Sequence, residues 1–411
     1  MMMLIPSIDI RSGRAVQLRK GKEHVLTDDR DPETLVQLFN RYGEVALIDL
    51  DAALSHGDNL PLLKRLCSMA DVRVGGGIRD VERARTLLRA GAKKIIIGTA
   101  ANPEFLSQLP SERVMVALDH THDGEVLDHG WMQGTGESLW ERAERLAPYC
   151  SGYLCTFVDT EGTLQGLPLE AVEALRQRLP HPVTVAGGVS TTADAVQAVR
   201  LGVDVQVGMA LYTGKLDLTE AFVQLLNWNK CPLLPTIVQN AEDGQVLMLA
   251  YSTPESLKQA LDTGKGIYFS RSRQALWEKG ATSGNSQQLL SCRADCDQDS
   301  LLFSVRQNGP CCHTGTNSCF GDARFSIPTL FNILSSRRNT LPEGSFTATL
   351  FKNREKLYRK LMEEAFEVTR SQSRDDFVWE LSDTLFFLSM VAVDEGISWK
   401  ELVAELGGRQ R

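Results

Sequence analysis

The segment from residue 294 to 320 places aspartates and a cysteine in alternation ahead of further cysteines. It contains Ala-Asp-Cys-Asp-Gln-Asp at 294–299 and Cys-Cys-His-Thr-Gly-Thr-Asn-Ser-Cys-Phe at 311–320. If 294–306 is a strand, Asp295, Asp297 and Asp299 share one face and Cys296 points to the other. Carboxylates suit Mg²⁺ and thiolates suit Zn²⁺. The segment therefore predicts two metals held back to back, and Cys312 and Cys319 are further candidate zinc ligands.

Other roles are open to these residues, because cysteines are often buried as small hydrophobes and aspartates often lie in solvated turns. Five of the nine cysteines nevertheless fall between Cys292 and Cys319, which indicates metal chemistry. Three protein ligands would leave a zinc position for water, as in catalytic sites. We expect Cys292 and Cys311 to be packing cysteines. A disulfide framework is not expected in a long chain that has no apolar N-terminal signal and scatters its other cysteines singly.

A second set of carboxylates lies near the C-terminus, where the pattern is helical. Glu364 and Glu363 precede Glu367 by three and four residues, so the three carboxylates share one helical face. Glu380 and Asp383 repeat this spacing on a helix expected over 376–393. Apolar residues are interleaved with them, so the two clusters could meet within a bundle and share Mg²⁺. On spacing alone, a solvated acidic face is the alternative.

The first half of the chain repeats a β-branched strand that runs into glycines. Val72-Arg-Val-Gly-Gly-Gly-Ile-Arg79 is echoed by Val183-Thr-Val-Ala-Gly-Gly-Val-Ser190, and the strand at 95–101 is echoed at 205–211. Amphipathic helices are expected after the glycines, over 80–90 and 191–201. With further strands at 3–9, 44–49, 113–119 and 153–158, the pattern predicts a (β/α)₈ TIM barrel built from two half-barrels.

Glycines at strand ends leave backbone N–H groups free beside a helix N-terminus, which suits a phosphate. Such glycines are often no more than turns, but their duplication favours two cradles for a substrate with a phosphate at each end. The candidate phosphate-binding residues are Gly76, Gly77, Arg79, Gly98, Thr99, Gly187, Gly188 and Gly208.

Length and composition constrain the remaining possibilities. The chain has 411 residues, 43% hydrophobic content and a net charge of −8, which predicts two to four domains and argues against nucleic-acid binding. No apolar run approaches the roughly 20 residues that a membrane helix needs, so a cytoplasmic protein is expected.

Residues 232–321 resemble phosphoribosyl-AMP cyclohydrolase of histidine biosynthesis. The resemblance rests on Pro235-Thr-Ile-Val-Gln, Ser270-Arg-Ser-Arg273, Lys279-Gly-Ala-Thr-Ser-Gly284 and the cysteine segment. It implies Mg²⁺ on the three aspartates, Zn²⁺ on Cys296, Cys312 and Cys319, and a homodimer that shares the zinc site. The implied reaction is hydrolytic opening of an adenine ring, in which His313 either moves protons or supports a zinc ligand.

Residues 328–411 resemble phosphoribosyl-ATP pyrophosphohydrolase, an all-α enzyme whose helices pack in dimers. The resemblance rests on Gly344-Ser-Phe-Thr-Ala-Thr-Leu350 and the two acidic clusters. It implies that these clusters hold Mg²⁺ on the triphosphate of the substrate.

Residues 3–216 resemble ProFAR isomerase, a barrel that converts an aminoaldose to an aminoketose. The resemblance rests on Ile5-Pro-Ser-Ile-Asp-Ile10, Gly75-Gly-Gly-Ile-Arg79, Ala117-Leu-Asp119, Gly130-Trp131 and Glu161-Gly-Thr-Leu-Gln-Gly166. The related cyclase barrel is the alternative, but it expects a lysine where this chain has Gln17-Leu18.

The resemblance implies that Asp9 is the base and Glu161 the acid of the isomerase, on opposite sides of the barrel mouth. Asp119 and Thr156 would orient the reacting groups. Glu161 replaces the usual aspartate, with Asp159 as a nearby substitute, and Met209 replaces a residue that is usually polar.

Together these patterns predict a trifunctional enzyme with a barrel at 1–222, a β-rich cyclohydrolase at 223–322 and an all-α pyrophosphohydrolase at 323–411. Zn²⁺ and Mg²⁺ are the expected cofactors, and small phosphorylated nucleotides the expected substrates. One alternative is a bifunctional hydrolase with a silent barrel. Another is a structural zinc module, with four protein ligands, beside an acidic interaction surface.

Overall fold

The computed structural model describes residues 3–21, 23–321 and 325–407, which form two compact units. Residues 3–321 belong to the first unit and residues 325–407 to the second. The first holds a barrel and a β-rich region and the second is helical, so the expected multidomain fold is confirmed. The boundary expected between 222 and 223 stays a prediction, and the one between 322 and 323 lies outside the described residues.

Eight parallel strands close into the predicted TIM barrel. Each strand pairs with the next along the chain, and the eighth pairs with the first through Ile5 and Gln206. Most of their residues are apolar and buried, as expected for strands covered on both faces. The strands are Leu4–Arg11, Val45–Asp49, Val72–Gly75, Lys94–Ile97, Val114–His120, Tyr153–Phe157, Val183–Ala186 and Asp204–Val207.

Helices follow the strands and cover the outside of the barrel. The two helices expected from the repeat are Val81–Arg89 and Thr192–Arg200. Asp80 caps the first through the backbone N–H of Arg83, and Thr191 begins the second with a capping box. The other helices are Pro32–Asn40, Leu50–Ala53, Leu60–Met69, Pro103–Leu106, Leu139–Leu146, Leu169–Arg178, Met209–Tyr212 and Leu218–Leu225, with 3-10 turns at Ser111–Arg113, Ala147–Tyr149 and Val158–Thr160.

Two antiparallel insertions extend the barrel strands. Arg14–Arg19 and Glu23–Thr27 fold back on the first strand, and Glu125–Asp128 and Gln133–Ser138 follow the fifth. Both insertions begin at the C-terminal end of a barrel strand, which is the end where TIM barrels carry their active sites.

The region after the barrel is a small β-rich module whose apolar core is continuous with that of the barrel. Its four-stranded sheet has the order Val246–Ser252, Leu234–Asn240, Leu301–Gln307 and Gln287–Ala294. Helix Pro254–Thr263 and a two-stranded ribbon, Ile267–Ser270 and Ala275–Glu278, complete the module.

The strand expected over 294–306 is wrong, because two antiparallel strands meet at a turn there. One strand ends at Ala294 and the next begins at Leu301. Asp295 stabilises the turn by accepting hydrogen bonds from the backbone N–H groups of Asp299 and Ser300, and Gln298 adopts a φ of 63°. The positions of the three aspartates are therefore not set by the alternation of side chains along a strand.

The second unit consists of helices, as expected. Its longest helix, Arg374–Asp394, contains the helix expected over 376–393. Leu334, Leu357 and Met390 are fully buried in the core of this second unit. The others are Ile327–Thr340, Phe346–Phe351, Arg354–Val368 and Trp399–Gly407. Within the described residues, no helix has the length and apolar character needed to cross a membrane.

Candidate functional site

A cavity of about 250 Å³ opens at the C-terminal ends of the barrel strands. Every barrel residue that the sequence marked as catalytic or phosphate-binding lines it. These residues are Asp9, Glu161, Asp119, Thr156, Gly76, Gly77, Arg79, Gly98, Thr99, Gly187, Gly188 and Gly208. Positions spread over most of the barrel sequence are thus brought to one site.

The two carboxyl groups expected to act as base and acid have separate pKa values. Burial raises the pKa of Asp9 to about 6, although a hydrogen bond of 2.8 Å from the Ser7 hydroxyl opposes the shift. Burial, followed by the charges of Asp9 and Asp119, raises the pKa of Glu161 to about 8. Near pH 7, Asp9 is therefore mostly ionised while Glu161 keeps its proton, which is the division of roles that acid–base chemistry needs.

Asp119 lies beside this pair and is oriented by two neighbours. Burial raises its pKa, while hydrogen bonds from the side chains of Thr156 and Trp131 oppose the increase. By contrast, Asp159 is exposed, accepts a hydrogen bond from the His122 backbone and does not line the cavity. Asp159 is therefore unsuited to replace Glu161.

Four polar side chains that line the cavity were not among the predicted site residues, namely Ser7, Gln17, Trp131 and Gln206. Trp131, at a φ of 68° after Gly130, faces the cavity from the second insertion. Gln206 lines the cavity from the eighth strand, and its buried Oε1 has no hydrogen-bond partner in the described part of the chain. Gln206 could have been found from the sequence, because a glutamine in a strand with valine on both sides is an unusual buried polar residue.

The glycines at the strand ends bring the backbone close to its neighbours. At Gly76, with a φ of 91°, a Cβ would lie 2.6 Å from the Asp49 backbone nitrogen, and at Gly187 one would lie 2.6 Å from the Phe157 carbonyl oxygen. Arg79 donates to the carbonyls of Ala52 and Ala53, so it braces the first cradle. Among the described residues, Arg79 is the one basic side chain that lines the cavity.

The three aspartates of the middle module lie together around the turn. Oxygen atoms of Asp295, Asp297 and Asp299 come within 4.8 Å of one another. Burial would raise the pKa of Asp295, but hydrogen bonds from Ser300 and backbone N–H groups outweigh it and lower the pKa. The Lys230 ammonium contacts both Asp297 and Asp299. A cluster of hard oxygen atoms that already attracts a cation fits Mg²⁺.

Two of the three expected zinc ligands are neighbours. Hydrogen bonds from Thr314, the largest effect, and from Thr316 and Cys319 lower the pKa of Cys312 to about 6, so its thiol is mostly ionised at pH 7. His313 is exposed, and its Nδ1 lies 3.7 Å from the Cys312 sulfur. Among the described residues, Cys296 does not join Cys312 and Cys319 in a group of ligand atoms within 4.8 Å. Cys292 and Cys311 are buried.

The helical unit brings together three of its five marked carboxylates. Atoms of Glu364, Glu367 and Glu380 lie within 4.8 Å of one another, and burial followed by the first two charges raises the pKa of Glu380. Glu363 pairs with Lys360 at 3.1 Å. Asp383 lies outside the group, although its charge also raises the Glu380 pKa. Crowded carboxylates of this kind favour a divalent cation.

Three family models match the chain in order. A model described as histidine biosynthesis protein matches residues 3–217, one for phosphoribosyl-AMP cyclohydrolase matches 248–321, and one for phosphoribosyl-ATP pyrophosphohydrolase matches 327–410.

Curated histidine biosynthesis proteins also match part of the chain. The histidine biosynthesis bifunctional protein HisIE of Parasynechococcus marenigrum is 38% identical over 213 residues, which cover 47% of this chain and 96% of that protein. Its Escherichia coli counterpart is 38% identical over 202 residues, or 47% of this chain and 100% of that protein. A histidine biosynthesis trifunctional protein of Kluyveromyces lactis is 44% identical over 167 residues, or 40% of this chain and 21% of that protein.

The barrel match covers just over half of the chain, and the bifunctional relatives are covered almost completely. The chain therefore belongs to the histidine biosynthesis protein family through its barrel, and to the phosphoribosyl-AMP cyclohydrolase and phosphoribosyl-ATP pyrophosphohydrolase families through the regions that follow.

Proposed function

We propose that this chain performs three successive reactions of histidine biosynthesis. The helical unit cuts phosphoribosyl-ATP to phosphoribosyl-AMP and pyrophosphate, and the middle module opens the adenine ring to give ProFAR. The barrel isomerises ProFAR to its ribulosyl form. For the barrel, the observation that carries the proposal is the pair Asp9 and Glu161, which face one cavity with pKa values of about 6 and about 8.

The barrel residues divide the isomerisation into two proton transfers. Glu161 donates its proton to the ribose ring oxygen as the ring opens, and Asp9 removes the proton from the adjacent carbon. Asp119, held by Thr156 and Trp131, orients the substrate between them. The backbone N–H groups of the two glycine cradles bind the terminal phosphates.

The pH dependence of the isomerase should be bell-shaped. Activity should rise as the pH passes about 6, where Asp9 ionises, and fall as it passes about 8, where Glu161 loses its proton. The measurement is kcat/KM for purified ProFAR between pH 5 and 10, converted by the full chain. Glu161→Asp is the matched variant: its shorter carboxyl should shift the alkaline limb and leave the acidic limb in place. An alkaline limb that is identical in both proteins would exclude Glu161 as the acid.

The hydrolytic modules hold groups suited to metals. Asp295, Asp297 and Asp299 would bind Mg²⁺, as would Glu363, Glu364, Glu367, Glu380 and Asp383, while Cys296, Cys312 and Cys319 would bind Zn²⁺. When bound, Mg²⁺ neutralises substrate phosphates and Zn²⁺ supplies an activated water. The ionised Cys312 and the convergent carboxylates support this assignment. His313, exposed beside Cys312, is placed to move protons during ring opening.

A homodimer is supported by apolar surface in both units. In the middle module, Ile237 and Leu249 pair across neighbouring strands and are 41% and 50% exposed. In the helical unit, Phe377, Leu381, Leu385 and Leu388 form an exposed stripe along one helix. Contiguous apolar surface of this kind is typical of an interface, and a second copy would also bring Cys296 to Cys312 and Cys319 of its partner.

A second candidate is a bifunctional hydrolase with a silent barrel. It is favoured by the acidic lining of the cavity, where Asp9 and Asp119 face a single basic residue among the described lining. Met209, buried next to the second cradle, supplies no charge to a phosphate.

Lysine at position 209 should strengthen substrate binding if the barrel is active. A new ammonium beside Gly208 would add a charge-assisted hydrogen bond to a phosphate, lowering the KM for ProFAR about tenfold. Val25→Lys, which adds the same charge outside the cavity, should leave KM unchanged. Initial rates at several ProFAR concentrations measure the effect. An unchanged KM in Met209→Lys would show that no phosphate lies beside this residue.

A further inference from the structure

The connector between the barrel and the middle module lies against the acidic turn. It runs from the end of helix Leu218–Leu225 to the start of strand Leu234–Asn240. The Asn227 backbone N–H donates to the Gln298 carbonyl at 2.8 Å. The Lys230 Nζ contacts Asp297 at 2.5 Å and also contacts Asp299. The connector therefore holds the turn through both its backbone and a side chain.

The charges in the turn are neutralised in two different ways. Asp295 accepts hydrogen bonds from the Ser300 hydroxyl and from two backbone N–H groups. Asp297 and Asp299 share the Lys230 ammonium instead. Three carboxylates this close would otherwise repel one another. Lys230 is 52% exposed, so it can leave the cluster without disturbing a packed core.

We propose that Lys230 is a positioning residue of the cyclohydrolase, which holds Asp297 and Asp299 in their ligand arrangement and yields its place when Mg²⁺ binds. This inference rests on the proposed magnesium role of the three aspartates. Because the ammonium and the ion compete for the same oxygen atoms, Lys230 weakens Mg²⁺ binding while it stabilises the metal-free turn.

The full-length variant Lys230→Met tests this competition. Calorimetric titration with Mg²⁺ should show about three- to tenfold tighter binding at the turn, the range expected from losing two exposed ion pairs. The melting temperature without metal should fall, and added Mg²⁺ should raise it more than in the unmutated protein. Lys230→Arg should restore both values, because it keeps the charge. Lys258→Met, which removes an ion pair with Glu220 at similar exposure, is the matched control and should change neither.

The variant Asp297→Asn identifies the binding that belongs to the turn, since this part of the Mg²⁺ titration should be lost when an aspartate ligand is removed. If that variant loses no Mg²⁺ binding, the proposed magnesium site itself fails. If the site exists but Lys230→Met binds Mg²⁺ with unchanged or weaker affinity, Lys230 does not compete for the ion and the inference is overturned.

A separate observation concerns the end of the barrel on which the middle module packs. The Cys292 backbone N–H donates to the Arg41 carbonyl at 2.7 Å, and Arg293 pairs with Asp71. Arg41 precedes the second barrel strand and Asp71 immediately precedes the third, so both lie at the N-terminal end of the barrel. Asp9 and Glu161 lie at the opposite end, about 15 Å away along the strands.

We infer that ProFAR made in the middle module enters bulk solvent before the barrel of any chain takes it up. This inference rests on the proposed isomerase activity. The test supplies labelled phosphoribosyl-AMP with excess unlabelled ProFAR to the full-length protein. The ribulosyl product should carry the same label fraction as the ProFAR in solution. Product richer in label than that pool would show direct transfer, whereas failure to consume the added ProFAR would refute the isomerase proposal instead.

Discussion

Asp9→Asn should lower the isomerase kcat by about 10²- to 10⁴-fold, the usual contribution of a positioned acid or base. Asparagine keeps the size and the hydrogen bond with Ser7 but cannot accept the substrate proton near pH 7. Both hydrolytic activities should be unchanged, because Asp9 lies at the end of the barrel away from the middle module. Phosphoribosyl-ATP supplied to this variant should therefore be converted to ProFAR and no further.

The matched control is Ser7→Ala, which removes the hydrogen bond that opposes the increase in the Asp9 pKa. That variant should keep most of its activity but move the acidic limb of the pH profile to higher pH. Product analysis by chromatography, with each substrate added separately, distinguishes these results. An Asp9→Asn protein that isomerises ProFAR at the unmutated rate would remove Asp9 from the mechanism.

Cys296→Ser and Cys312→Ser should each abolish ring opening, yet a mixture of the two should recover part of it. In a two-fold dimer with shared zinc sites, the mixed dimer has one site with both substitutions and one with neither. Random exchange of subunits would make half the dimers mixed, so about a quarter of the unmutated activity should return. The zinc content of the mixture should recover in the same proportion.

The control mixture combines Cys312→Ser with Cys319→Ser. If these two ligands come from the same chain, every site in the mixed dimer lacks one of them, so neither zinc nor activity should recover. Subunits are exchanged by dilution and reconcentration, and both mixtures are assayed with phosphoribosyl-AMP. Recovery in the control mixture, or none in the first, would contradict a site shared in this way.

The barrel could be predicted from the sequence because its units repeat a simple pattern. Runs such as Ile95-Ile-Ile and Val205-Gln-Val end in glycine at equivalent positions, and closure of the sheet brings those ends to one mouth. The separate pKa values of Asp9 and Glu161, which suit the proposed base and acid, could not be predicted from spacing. The pKa of Asp9 depends on burial and on the Ser7 hydrogen bond, and that of Glu161 on burial and on the charges of Asp9 and Asp119, all of which exist only in the folded barrel.

The three aspartates were correctly predicted to lie together, but the strand on which that prediction rested is a turn in the structure. Alternation along a strand placed Asp295, Asp297 and Asp299 together, whereas a turn capped by Asp295 does so in the structure. Asp and Ser are common turn residues, but the apolar residues from Leu301 onward outweighed that signal. The insertions at the barrel mouth were missed because short strands rich in charged residues lack a clear period, and Trp131 lies at the tip of one of them.

The grouping of the five carboxylates in the helical unit was predicted only in part, because it depends on packing that the sequence pattern does not specify. Spacing placed all five carboxylates on two helical faces, but it could not specify how the two helices are rotated toward each other. The observed packing brings Glu364, Glu367 and Glu380 together and leaves Glu363 outside the group, while Lys360 pairs with both Glu363 and Glu364.

The most direct test of the trifunctional account is to identify the product that accumulates when the unmutated protein is given phosphoribosyl-ATP with Mg²⁺ and Zn²⁺. The account predicts that the ribulosyl product appears, that phosphoribosyl-AMP and ProFAR pass through transient maxima, and that pyrophosphate is released once per turnover. Accumulation of ProFAR as the end product would contradict it, leaving a bifunctional hydrolase fused to a silent barrel.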